Sequence, residues 1–146
     1  MDFTAPVSTL MTRKLITVST GDNLTTVRDI FQSKRIHHIP VVRFTTLVGI
    51  ISEADFLPFL KGIASTKPGQ PEYDANLESI LVEDVMTTGI ATLESTDRIN
   101  VALQLFSENI FHAIPIVDNG ELVGMLTTFD IIKKLQEDDL ARIKSV

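Results

Sequence analysis

The sequence predicts an α/β (α+β) fold made of two β-α-β-β-α repeats packed together with pseudo-two-fold symmetry. Three observations carry this reading. The 146 residues match themselves at an offset of 75: between Met11–Leu57 and Met86–Ile132 there is no gap, and 13 of 47 positions are identical, where chance at average composition gives roughly three. Within each copy, stretches with the helical 3.6-residue period alternate with short apolar runs of strand length. Finally, 44% apolar and 22% charged residues suit a globular chain, yet each copy is too small to bury a core comfortably by itself.

Each copy reads in the same order. A short strand comes first, at Leu15–Val18 and Ile90–Leu93. Asp22 and Asp97 then offer N-caps. Leu24, Val27, Ile30 and Phe31 form a helical stripe, repeated by Ile99, Ala102, Leu105 and Phe106. Second strands are expected at His38–Val42 and Ala113–Val117, where Pro40 and Pro115 point to strand starts or sheet edges. Asp118-Asn119-Gly120 is a hairpin turn signal, and its counterpart Arg43-Phe44-Thr45 is a poorer one. Third strands at Leu47–Ile51 and Leu122–Leu126 are continuously apolar, as for strands covered on both faces. Last helices begin at Ser52 and Thr127, with Phe56, Leu57, Leu60 and Ile131, Ile132, Leu135 expected to face inward.

The expected division is repeat 1 over 1–61, a linker over 62–79 and repeat 2 over 80–146. Lys67–Pro71 is rich in turn formers. Short helices are expected over Leu77–Met86 and, for the first copy, Pro6–Met11. Gln136–Val146 either extends the last helix or frays.

Composition excludes several function classes. The chain has no cysteine, so thiolate catalysis, disulfides and cysteine-ligated zinc are out, and a cytoplasmic setting is expected. Apolar runs reach about five residues, far below the roughly 18 to 20 of a membrane span, and no secretory signal opens the sequence. Net charge is −6, with +1 over residues 1–60 and −7 over 61–146. Such a chain is a poor nucleic-acid binder, and no basic amphipathic helix argues for a membrane surface. No nucleophile elbow, Walker loop or metal-ligand spacing is present, and no enzymatic activity is expected.

The chemistry-bearing element occurs twice: Gly49-Ile50-Ile51-Ser52-Glu53-Ala54-Asp55 and Gly124-Met125-Leu126-Thr127-Thr128-Phe129-Asp130. A strand here runs into a helix N-terminus, whose N–H groups attract anions. The hydroxyl can bond a phosphate or ribose oxygen, and the aspartate can accept two bonds from a vicinal diol. The glycine admits another backbone or a flat ring. Ser52…Asp55 and Thr127…Asp130 also read as capping boxes, although these prefer Glu or Gln where both copies carry Asp. His37, His38 and His112 precede the prolines. They read as histidines at a seam or near a phosphate, and their spacing does not make a metal site.

These features together resemble a tandem pair of cystathionine beta-synthase (CBS) domains, a Bateman module. The resemblance rests on Met11-Thr12 and Met86-Thr87, on Ile39-Pro40-Val41 and Ile114-Pro115-Ile116, and on Leu-Val-Gly running into Ser/Thr-x-x-Asp. It implies a CBS-domain pair whose clefts between repeats bind an adenosine-containing ligand: AMP, ADP, ATP or S-adenosylmethionine. By resemblance Asp55 and Asp130 hold ribose hydroxyls, and Ser52 and Thr127 reach ribose or phosphate. Adenine lies near Leu15, Ile16, Ile36 and Pro40, or near Ile90, Ala91, Phe111 and Pro115. Positions matching His37, His38 and His112 meet phosphates in the gamma subunits of AMP-activated protein kinase. Ala113 replaces the second histidine, and Phe129 stands where Ala54 does, so two unequal sites are expected. The resemblance also implies a regulatory module read by an effector protein. A homodimer through helical faces is expected, with Phe56, Phe59, Ile132 and Leu135 as candidates. The alternative is a ligand-free dimerisation or interaction module.

Overall fold

A computed structural model describes residues 1–62, 71–108 and 111–146. In chain order its elements are β1 (Val18–Ser19), α1 (Leu24–Ser33), β2 (His38–Arg43), β3 (Thr46–Ser52), α2 (Glu53–Gly62), α3 (Pro71–Glu78), α4 (Ile99–Ser107), β4 (Ala113–Asp118), β5 (Glu121–Thr127) and α5 (Thr128–Lys144). Short 3₁₀ turns occupy Val7–Thr9 and Val82–Asp84. The β-α-β-β-α order of the repeat is present, and most of the turn-rich stretch Lys67–Pro71 lies outside the described residues. Two compact units form: Ile16–Ile90, and Met1–Leu15 together with Ala91–Val146.

In the unit Ile16–Ile90, β1 runs parallel to β2 with Val18 opposite Val41. Strands β2 and β3 form an antiparallel hairpin from His38↔Ser52 to Arg43↔Thr46. The other unit repeats the hairpin, from Ala113↔Thr127 to Asp118↔Glu121. There the opening strand shrinks to one parallel bridge, Leu93↔Ile116. The longer strands expected at Leu15–Val18 and Ile90–Leu93 do not form because the chain turns at once. The Asp22 carboxylate accepts from the Ser19 N–H at 2.8 Å, and Asp97 from the Glu94 N–H at 2.8 Å.

Those two aspartates therefore close turns and are not helix caps. The cap of α1 is Asn23, whose side chain accepts from the N–H groups of Thr25 (3.1 Å) and Thr26 (3.3 Å). Helix α4 has Arg98 at this position with no side-chain cap. Its first N–H groups, of Ile99 and Asn100, donate instead to the carbonyls of Ala5 and Phe3, both at 2.9 Å. An extended N-terminal segment thus satisfies donors that a helix start leaves unpaired.

Pro40 and Pro115 sit inside strands, opposite Ile50 and Met125, and not at strand starts. The ladder loses nothing there. The N–H and carbonyl of Ile50 both bond to Thr87, at 3.0 and 2.9 Å, and those of Met125 to Thr12, at 3.0 and 2.8 Å. The carbonyl of Pro115 accepts from Leu93, so the ring nitrogen faces the same edge, where pairing is only beginning.

The two hairpin tips differ. Asn119 and Gly120 have φ of 51° and 81°, as a primed turn requires. At the other tip Phe44 takes φ of 59° and its side chain is 95% exposed. A bulky residue there is strained.

Each unit has its own core. Leu24, Val27, Ile39, Val41 and Leu77 are fully buried in one, with Phe31 and Phe56 rings 5.6 Å apart. Val7, Ile114, Ile116 and Leu126 are fully buried in the other. Phe56 and Ile131 point inward as expected, and Leu60 packs against the core. Leu57, Ile132 and Leu135 do not: they are 49%, 62% and 44% exposed. One stripe on each helix suffices to cover a hairpin, and the remaining apolar residues fall outside it. The expected helices over Pro6–Met11 and Leu77–Met86 are also shorter. Pro6 caps a single 3₁₀ turn, and α3 stops at Glu78 before the turn at Val82–Asp84. The chain must straighten at Met11-Thr12 and Met86-Thr87 to pair with β5 and β3. The C-terminal residues extend α5 to Lys144. No helix among the described residues is long and apolar enough to cross a membrane.

Candidate functional site

Strand β3 delivers Ser52 to the start of α2, and the helix places Asp55 one turn on. A cleft of about 310 Å³, partly open to solvent, lies over this junction. Its lining is Ile50, Ile51, Ser52, Asp55, Phe56, Val85 and Thr87. The structure thus brings Ser52 and Asp55 together beside residues that sequence reasoning did not select, Val85 and Thr87. The duplicated Met-Thr pair and the glycine at Gly49 were the available signal. A Cβ on Gly49 would stand 2.6 Å from Met86 Sδ and 3.0 Å from the Thr87 carbonyl oxygen. The glycine admits the lead-in backbone, which is one of its two expected occupants.

The Ser/Thr-x-x-Asp elements are not alike. At the start of α5 the capping box is complete. The Asp130 N–H donates to Thr127 Oγ1 at 3.2 Å, and Asp130 Oδ2 accepts from the Thr127 N–H at 2.8 Å and from its hydroxyl at 3.0 Å. At α2 only the first half recurs: the Asp55 N–H donates to Ser52 Oγ at 3.1 Å. Among the described residues no bond returns from the Asp55 carboxylate to Ser52. Asp130 is engaged by its own helix, whereas Asp55 is exposed and lines the cleft.

The helix starts offer little to an anion. The Glu53 N–H donates to the His37 carbonyl at 2.8 Å, and the Thr128 N–H to the His112 carbonyl at 3.1 Å. With the Asp55 and Asp130 N–H groups also bonded, two first-turn donors of each helix are taken. His37 is 76% exposed, and its Nδ1 is 3.8 Å from Glu53 Oε2. That carboxylate competes with any phosphate for the ring. His112 is exposed as well, and the corresponding neighbour is the neutral Thr128. His38 lies opposite Ser52 in the hairpin, and Ala113 opposite Thr127.

Among the apolar candidates, Ile16, Ile36, Pro40 and Ile90 belong to the unit that holds the cleft, and Leu15, Ala91, Phe111 and Pro115 to the other. Pro40 and Pro115 are buried, and Leu15, Ile16, Ile36, Ile90, Ala91 and Phe111 are half-buried. Phe129 is 68% exposed. Among the described residues no group of three or more His, Asp or Glu side chains is placed to hold a metal ion.

Comparison with known proteins bears on this geometry. The CBS domain family matches the chain twice, over residues 7–62 and 82–137. An inosine-5'-monophosphate dehydrogenase of Thermoplasma acidophilum is 29% identical over 92% of this chain. The chain spans only 24% of that dehydrogenase, and less than two thirds of each of the next curated relatives. Among solved structures, the CBS domain of a CBS domain-containing membrane protein from Sphaerobacter thermophilus is 29% identical, with a TM-score of 0.71 over 90% of this chain and 88% of that one. CBSX2, a CBS-pair protein of Arabidopsis thaliana solved in complex with AMP, superposes with a TM-score of 0.75. It is 23% identical, over 92% of this chain and 98% of that chain.

Proposed function

The chain belongs to the CBS domain family, as two tandem copies, and we propose that it is a non-catalytic regulatory module that binds an adenosine-containing ligand at the Ser52–Asp55 junction. One observation carries the reading: the Asp55 carboxylate lines a cleft and is not closed into the capping box that engages Asp130. A carboxylate so placed can accept both hydroxyls of a ribose. Ser52 serves the ribose or phosphate, and Ile16, Ile36 and Pro40 are assigned to the adenine. His37 and His38 serve a phosphate, though the Glu53 carboxylate beside His37 favours a ligand of low charge, such as AMP or S-adenosylmethionine. The AMP in the Arabidopsis CBS-pair structure supports this ligand class. In this reading Thr127–Asp130 is the weaker site, its aspartate committed to the helix. A cytoplasmic setting fits the cysteine-free chain, and an effector protein would read the ligand-bound state through its differential affinity.

Thermal shift against adenosine, AMP, ADP, ATP and S-adenosylmethionine tests the proposal. A ligand at 100 times its dissociation constant stabilises by about 2.7 kcal/mol. The expected result is a shift with at least one ligand that Asp55→Ala removes and Asp130→Ala largely keeps. If no ligand shifts the melt, the second reading takes over: both Ser/Thr-x-x-Asp elements are helix caps in an interaction module, as the complete box at Thr127 already is.

A further inference from the structure

We propose that the outer face of α5 is a self-association surface, on which α5 of a second copy packs antiparallel with Gln136 at the two-fold axis. The inference does not rest on the nucleotide reading.

Helix α5 covers its own unit through Ile131, which is 5% exposed. Its opposite face is apolar and uncovered among the described residues. Phe129, Ile132, Leu140 and Ile143 are 68%, 62%, 49% and 64% exposed. At about 100° per residue, these four and Gln136 fall in one stripe roughly 80° wide. Single exposed apolar residues are ordinary, whereas a continuous stripe marks a contact surface. Leu140 and Ile143 lie past residue 137, where the family match ends, so half of the stripe belongs to this chain and not to the matched domain.

The stripe is symmetric about Gln136. Phe129 and Ile143 stand equally far on either side of it, and so do Ile132 and Leu140. In an antiparallel pair Phe129 comes level with Ile143 of the second copy, and Ile132 with Leu140. The polar residue meets its own mate, and an amide can both donate to and accept from another amide. The flanking charges select the direction. Lys133 and Glu137 are exposed on the same flank of the stripe, on either side of Gln136. The two-fold axis brings Lys133 of each copy within about 3 Å, along the helix axis, of Glu137 of the other. A parallel pair would set Lys133 against Lys133 and Glu137 against Glu137. Opposite charges at matched levels, related by the same axis as the apolar residues, identify the occupant as a second copy of this chain.

Sedimentation equilibrium from micromolar to submillimolar concentration tests the surface. Each variant is first checked for an unchanged circular dichroism spectrum, which exposed substitutions should preserve. The expected result is a reversible dimer whose dissociation constant rises about tenfold or more in Ile132→Glu and in Leu140→Glu. Lys133→Glu and Glu137→Lys should each weaken it, and the double variant should recover it. Because the chain has no cysteine, Gln136→Cys introduces a single thiol, which should oxidise to a covalent dimer. Lys144→Cys should not, since its mates lie about 24 Å apart along an antiparallel pair. A monomer at every concentration, a dimer indifferent to Ile132→Glu and Leu140→Glu, charge variants that do not compensate, or cross-linking through Lys144→Cys would each overturn the proposal.

Discussion

Met86 Sδ lies 2.6 Å from the point where a Cβ on Gly49 would stand, and Met11 Sδ lies 2.7 Å from the same point on Gly124. The lead-in methionines and the strand glycines, identical in both copies, are therefore two halves of one contact. Gly49→Ala and Gly124→Ala should each destabilise by about 1–3 kcal/mol, the usual cost of overpacking. Met86→Ala should recover only part of the Gly49→Ala loss, because the Thr87 carbonyl oxygen would still be 3.0 Å from the new methyl group. Urea unfolding of the single and double variants measures this. A neutral Gly49→Ala would show that the lead-in segment moves aside without cost.

The two aspartates at helix starts should separate in a stability assay. Asp130 completes a capping box, so Asp130→Ala is expected to cost about 0.5–2 kcal/mol. Asp55 returns no bond to Ser52, and Asp55→Ala should stay within about 0.5 kcal/mol of the parent. Equal losses in thermal unfolding would contradict the asymmetry seen between the two junctions.

Phe44 holds φ of 59° with its ring 95% exposed. Removing the ring forfeits no packing, and glycine takes positive φ without the Cβ penalty. Phe44→Gly is therefore expected to raise stability by about 0.5–1 kcal/mol. A lower melting temperature in the variant would mean that the ring is held by something other than the hairpin.

Acid should weaken the unit that contains β4. The Ser95 N–H donates to Asp118 Oδ1 at 2.9 Å. The hydrogen bonds from Ser95 hold the Asp118 carboxyl below its ordinary value of 3.8, with a smaller contribution from the Arg13 charge. A carboxyl depressed in the folded state adds stability above that ordinary value, and the contribution is lost as pH falls through the lowered one. Asp2 and Asp138 shift in the same direction, Asp2 through the Thr4 hydroxyl and Asp138 through Lys134. Asp118→Asn should accordingly flatten the acid limb of the stability profile below about pH 4. An unchanged limb in chemical unfolding from pH 2 to 6 would remove Asp118 from that account.

The duplicated order of elements was legible because a gap-free repeat constrains every element twice. The hairpins followed from Asn119-Gly120 and from the apolar runs at Leu47 and Leu122. Capping was harder to read, since Asp22 and Asn23 are adjacent and both able to cap. Which of them did so depended on a turn bond to Ser19, three residues upstream. The outward placement of Ile132 and Leu135 was also hidden, because α5 carries apolar residues on two faces and periodicity does not say which face is covered. At the candidate site, Ser52 and Asp55 were visible as a motif. Val85 and Thr87 were not, because a chain segment some thirty residues downstream brings them to the junction.

The methionine contacts also bear on how such a chain can be dissected or rewired. A fragment ending near residue 61 would keep Gly49 but leave behind Met86 and Thr87, so its β3 would lose both the side chain that fills the glycine notch and the backbone that pairs with Ile50. A fragment cut at 16 and 90 retains both partners. The gene's unit of duplication and the polypeptide's unit of autonomous folding are thus offset by the length of one arm.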